Sequence, residues 1–195
     1  HGFVADFREL LSTDPALPRW MLLSAVSALP MAMMTPFHQL FAYEVKGADQ
    51  IVLGAMATAP VVTRLLFGIP LGRLADRIRP EKIYLGAVLL GTVFVFIMAA
   101  ASNLLLVLSA VCYAFFYFAT QPIQNYLVSK YLPLHRHGLG YGILFILTFG
   151  VGSTAAAVSG YLADRFGLEV VFYAMGGCFL VSAAMVLTLV LRGER

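Results

Sequence analysis

Residues 83–101 read IYLGAVLLGTVFVFIMAAA, nineteen positions with no charge and no alternation of apolar with polar side chains. About 20 apolar residues are what an α-helix needs to cross a hydrocarbon core of roughly 30 Å. A barrel strand would alternate in segments of about 10 residues. Lipid satisfies no backbone N–H or C=O, so a helix is the element that fits. Five further segments read the same way, at residues 20–43, 51–71, 104–127, 139–163 and 170–191. The whole chain agrees with them. Of its 195 residues, 61% are hydrophobic and only 12% are charged, half the usual share. Mean hydropathy is +0.86. Soluble globular, disordered, collagenous and disulfide-scaffold classes are excluded on these numbers. Cys112 and Cys178 lie inside apolar runs and read as small packing residues.

The expected fold is an all-α membrane protein, a bundle of six transmembrane helices. The links between spans are short, and near Ser102 and Asn103 only a tight turn fits. One transmembrane domain over residues 19–195 is therefore expected. Residues 1–18 form a separate cytoplasmic segment, in which Phe3, Phe7, Leu10 and Leu11 share one helical face, as in an amphipathic interfacial helix or linker. No signal peptide is recognisable. The chain begins with His1 rather than Met, which reads as a fragment or a processed product. Orientation follows from Lys and Arg. Ten lie on the side that holds both termini and two on the other, with Arg64 inside a span. Both termini are expected in the cytoplasm, in the plasma (inner) membrane. The net charge of +3 then needs no nucleic-acid partner.

An internal repeat organises the spans. Gly72-Arg73-Leu74-Ala75-Asp76-Arg77 closes the second and Gly160-Tyr161-Leu162-Ala163-Asp164-Arg165 the fifth, with five of six residues identical at an offset of 88. The same offset roughly maps the first three spans, about residues 19–101, onto the last three, about 104–191. Three spans is an odd number, so the second copy must be inverted in the membrane. Inverted three-helix repeats are a transporter signature. Gly152, Ala156 and Gly160 also share a face of the fifth span, and close helix packing is expected there.

Enzyme signatures do not emerge. There is no His-Glu-x-x-His and no Gly-x-Ser-x-Gly. His135 and His137 flank Arg136 in a loop and read as solvated, so no metal site and no cofactor is expected. The informative polar residues sit in spans. Arg64 is costly in lipid and is a candidate contact for an anionic substrate group, or else a snorkelling side chain. Pro30 and Pro36 loosen the first span, with His38 and Gln39 just beyond. On the fourth span Tyr117, Gln121 and Gln124 share one face, beside Asn125. That polar run should face a cavity or another helix. Asp76, Arg77, Arg79 and Lys82 cluster at the cytoplasmic edge after Gly72. The bases there follow the positive-inside bias, but Asp76 does not, and it can hold a helix N-terminus or an arginine in one conformer.

Residues 72–82, GRLADRIRPEK, resemble the Gly-x-Leu-Ala-Asp-Arg-x-Gly-Arg-Lys loop of the major facilitator superfamily. Arg79 stands at the usual glycine and Pro80 at the following arginine. Arg136-His137-Gly138 is similar to the family's loop before the fifth helix of a half. Gly160 to Gly167, followed by Phe172, resembles the end of its penultimate helix. The resemblance covers nearly the whole chain, as one half of a twelve-span member. No arginine marks the fourth span and no Gly-Pro the fifth, and an amphipathic segment precedes the first. These features resemble the C-terminal half. In the family the first and fourth helices of each half line a central cavity, which implies His38, Gln39, Tyr117, Gln121, Gln124 and Asn125 as substrate-cavity candidates, beside Arg64. Gly72, Asp76, Arg77, Arg79, Lys82, Arg136, Gly160, Asp164 and Arg165 would form the gating loops.

The function expected is secondary active transport of a small solute by alternating access, this chain being one half. Its partners are the lipid bilayer, the solute and an N-terminal six-helix half of the same polypeptide. The resemblance leaves the coupling ion open between proton and sodium. Two alternatives stand beside this: a complete six-span protein transporting as a homodimer, and a membrane sensor or scaffold that transports nothing.

Overall fold

The structure, a computed structural model, describes residues 8, 12, 16–75, 77–100, 103–132 and 134–192. Of the expected cytoplasmic segment at residues 1–18, Arg8 and Ser12 are helical, Ala16, Leu17 and Pro18 already form the first turn of the first span, and the rest lies outside the described residues. All six spans are helices. They are α1 (Ala16–Glu44), α2 (Gln50–Ala75), α3 (Pro80–Ala100), α4 (Asn103–Tyr131), a fifth span in three pieces, and α7 (Leu168–Arg192). The fifth span comprises α5 (His137–Phe145), a π-helical turn at Ile146–Gly150, and α6 (Val151–Phe166). The sequence predicts an unbroken helix there, so the π turn is a departure. Six helices of this length and hydropathy can cross a membrane.

Local chemistry sets the ends. Asp49 Oδ1 accepts the Val52 N–H at 2.8 Å and caps the start of α2. Gly47, at φ 65°, reverses the chain after α1, and the Ala48 N–H donates back to the Ala42 carbonyl at 2.9 Å. Pro80, the departure from the family loop, is the first residue of α3, where a missing N–H costs nothing. Gly167, at φ 88°, is the single residue between α6 and α7.

The core lies where α1, α3, α4 and α7 meet. Leu23, Phe41, Tyr84, Phe94, Met98, Phe116 and Phe179 are buried in one cluster. Lipid tails are as apolar as these side chains, so close packing rather than water exclusion holds the helices together. At the start of α1, Trp20 stands edge-on to Tyr84 of α3, ring centroids 6.0 Å apart. At its end, Phe41 lies against Phe172 of α7 at 4.3 Å. The starts of α3 and α7 therefore sit at opposite ends of the bundle, as inverted repeats require.

The packing repeats in the same sense. Shifted by 88 residues, the starts of α1, α2 and α3 fall within one residue of those of α4, α5 and α7. α1 packs on α7 and α6, while α4 packs on α3 and α2. Exchanging the two repeats leaves this pattern unchanged. The small-residue face of the fifth span is only partly used. A Cβ on Gly152 would lie 3.1 Å from the Ala32 methyl, so α6 and α1 do approach closely there. A Cβ on Gly160 would meet nothing within 4 Å, which corrects the expected contact at that end.

Candidate functional site

A cavity of about 390 Å³ opens between α1, α4 and the fifth span. Small-molecule sites run to roughly 300–1,000 Å³. Each helix contributes one stripe at helical spacing. α1 gives Ser27, Ala28, Met31, Ala32, Thr35 and Pro36. α4 gives Phe116, Tyr117, Thr120, Gln121 and Asn125. The fifth span gives Leu144, Phe145, Thr148, Phe149, Gly152, Ser153 and Ala156, on both sides of its π turn.

The π turn sits in the wall, where such turns mark functional sites. Thr148 Oγ1 donates to the Leu144 carbonyl at 2.8 Å, the carbonyl that an α-turn would pair with the Thr148 N–H. Ser153 Oγ donates to the Gly150 carbonyl at 2.9 Å. On α1, Pro36 has no N–H to give the Ala32 carbonyl, so the helix is loosened beside the cavity. Thr35 donates to the Met31 carbonyl at 3.0 Å. Thr120 donates to the Phe116 carbonyl at 2.9 Å. Phe145 and Phe149 stack with centroids 5.6 Å apart.

Of the residues singled out by sequence, Tyr117, Gln121 and Asn125 come together on this wall. The backbone places Gln124 in α4, and its side chain lies outside the described residues. His38, Gln39 and Arg64 do not line the cavity. His38 is buried instead, edge-on to Phe94 at 5.5 Å, and its Nε2 has no partner. Gln39 is exposed on α1 and Arg64 exposed on α2. Ser27, Thr35, Thr148 and Ser153 were missed. A stripe of Ser27, Met31 and Thr35 at intervals of four was the signal available for α1.

The loop residues fall into two groups at opposite ends. Arg73 is exposed in the last turn of α2, and Arg77 is exposed in the turn that follows. The Arg77 and Ile78 N–H groups both donate to the Leu74 carbonyl. Arg79 lies 3.7 Å from Glu81, and Lys82 sits in the first turn of α3. Gly72 lies in α2, and Asp76 lies outside the described residues. At the other end Asp164 and Arg165 are exposed near the end of α6, and Arg165 lies over the Tyr161 ring at 5.6 Å. Gly160 sits one turn earlier and is half-buried. Arg136 ends a 3₁₀ turn, directly before α5. Beside it, His137 Nε2 donates to the Leu132 carbonyl at 2.8 Å.

The family model of the Major Facilitator Superfamily matches residues 20–195. The chain belongs to the Major Facilitator Superfamily. It matches no curated protein. Membership makes it an integral, multi-pass membrane transporter, with the six helices as the half-fold of that superfamily and lipid around them. Superfamily members are transporters rather than enzymes. The cavity between the first helix of each repeat is accordingly the place to look for a solute.

Proposed function

We propose that this chain is one half of a secondary active transporter that moves a small solute across the membrane by alternating access. The cavity carries this reading. Its walls come from α1 and α4, which exchange under the repeat, and from a span interrupted by a π turn. A site on the exchange axis can open to either face as the bundle rocks. Tyr117, Gln121 and Asn125 are the proposed solute contacts. An N-terminal six-helix half of the same polypeptide is the proposed partner, because α2 is left bare: 11% of its apolar window is buried, against 56% for α1. The Lys and Arg bias supports cytoplasmic termini in the plasma (inner) membrane. Gly72, Asp76, Arg77, Arg79 and Lys82 would then gate the cytoplasmic face, and a proton or sodium gradient would drive the cycle.

Accessibility from the two faces tests this. Ser153→Cys places a thiol on the wall once Cys112 and Cys178 have been changed to serine. A membrane-impermeant maleimide is applied to right-side-out and to inverted vesicles. Alternating access requires labelling from both faces. Labelling from one face only refutes it.

A further inference from the structure

Beside Tyr117 and the amides of Gln121 and Asn125, the polar side chains of the cavity are hydroxyls, and most of these have no hydrogen to offer a ligand. Among its described lining residues none is charged. Thr35, Thr120, Thr148 and Ser153 all give their hydroxyl hydrogens to carbonyls of their own helices. A hydroxyl bonded in this way can still accept but has no hydrogen left to give. Ser27 differs. It lies on the wall at 3% exposure, and its Oγ has no hydrogen-bond partner. A buried unpaired hydroxyl costs free energy, and an acceptor atom on a bound solute recovers it.

Met31, Phe116, Phe145 and Phe149 supply the larger apolar and aromatic side chains of the wall. An ion entering this space would lose its water without meeting an opposite charge on the described wall, and burial of an unpaired charge is strongly unfavourable. Arg64, the cation within a span, is not part of the lining. We propose that the cavity takes an uncharged solute that accepts a hydrogen bond from Ser27. This rests on reading the cavity as the transport site, and it adds the chemical class of what is carried.

Benzophenone is a probe of that class: two rings, no charge and one carbonyl acceptor, with photochemistry that marks the site it occupies. Benzophenone-4-carboxylate and a 4-trimethylammonium benzophenone carry opposite charges on the same frame. The full chain in phosphatidylcholine nanodiscs is irradiated with each, and adducts are mapped by mass spectrometry. Adducts at Leu89 and Val93, exposed on α3, report partitioning into lipid and normalise the three probes. The expected result is that Met31 is labelled by benzophenone at least tenfold more than by either charged form. Ser27→Ala should lower that labelling about three- to tenfold, the range for one lost hydrogen bond. Ser27→Thr, which keeps the hydroxyl, should retain it.

Equal or stronger labelling of Met31 by a charged probe overturns the proposal, and this comparison needs no variant. Unchanged labelling in Ser27→Ala overturns the role of Ser27. The maleimide experiment separates this inference from the one beneath it. Two-sided access together with a preference for a charged probe removes the solute class and leaves the transporter. One-sided access together with a neutral preference does the reverse.

Discussion

Alanine placed at Gly91 should destabilise the bundle, while alanine placed one and a half turns earlier at Gly86 should not. Both glycines lie in α3. A Cβ at Gly91 would stand 2.6 Å from Cε1 and 2.8 Å from Cζ of Phe179 on α7. Carbon atoms prefer about 3.5–4.0 Å, so the ring or the helix must retreat by roughly 1 Å. The ring has little room. Phe179 is 1% exposed and stands edge-to-face against Phe116, centroids 4.9 Å apart. Overpacking of this kind costs about 1–3 kcal/mol. A Cβ at Gly86 would meet nothing within 4 Å. Replacing glycine by alanine in a helix returns up to about 1 kcal/mol, and it does so at both positions. That gain cancels in the comparison, leaving the steric term of about 1–3 kcal/mol. Reversible unfolding in mixed detergent and dodecyl sulfate micelles, followed by circular dichroism, measures it. Gly86→Ala should hold or raise the midpoint, and Gly91→Ala should lower it. Equal shifts for the two would show that α3 and α7 do not approach as described.

Three further substitutions probe other joints of the bundle. Lys46→Met should cost about 1–2 kcal/mol in the same unfolding assay. It removes the ammonium that donates to the Ala99 carbonyl at 2.7 Å, at the end of α3, and that lies 5.5 Å from the centre of the Phe41 ring. A midpoint equal to that of the parent would argue against the link. His38→Phe should leave stability unchanged or raise it by up to about 1 kcal/mol, since a buried imidazole nitrogen without a partner is replaced by apolar ring atoms. A clear loss of stability would mean that His38 makes a bond the geometry does not show. Gly152→Leu should cost about 1–3 kcal/mol and block maleimide labelling of Ser153→Cys, because its side chain is driven against Ala32 and Ala28 of α1 and into the cavity. Full labelling with an unchanged midpoint would refute the α1–α6 contact.

Composition made the spans legible, because a stretch such as residues 83–101 has one stable solution in lipid. The offset of 88 was legible from the two Leu-Ala-Asp-Arg closures at the ends of the second and fifth spans, and it predicted where later helices begin. The polar face of α4 was legible because amides are rare in spans, and Tyr117, Gln121 and Asn125 do reach the cavity. Ser27 was not. A serine in a helix usually bonds to its own backbone and is neutral, and only the three-dimensional surroundings show that this one does not. The π turn was equally silent. Residues 146–150 read ILTFG, which continues a helical pattern without a break. His38 and Arg64 drew attention by chemistry alone, and chemistry does not say which way a helix turns its side chain.

The contact between Gly91 and Phe179 has a further meaning, because these two positions are themselves 88 residues apart. Each is the other's repeat equivalent. Under exchange of the repeats a residue can touch its own equivalent only where the exchange axis passes between them. α3 and α7 form one such pair of helices, and α1 and α4, which also touch, form the other. The axis therefore runs through the middle of the bundle, between α3 and α7 on one side and α1 and α4 on the other. At an axis two identical large residues would collide and two identical small ones would leave a void. One glycine and one phenylalanine fill the space at native density, and they do so only by differing. Perfect repetition is thus excluded on the axis by packing itself. The cavity, walled by α1 and α4, lies on that axis too. There the same divergence sets Ala28 and Ala32 of α1 against Phe116 and Thr120 of α4, four and four positions apart along helices that the repeat makes equivalent. A duplicated three-helix unit gives the frame two equivalent faces, and the unlike residues at its axis make the α1 and α4 walls of the cavity differ.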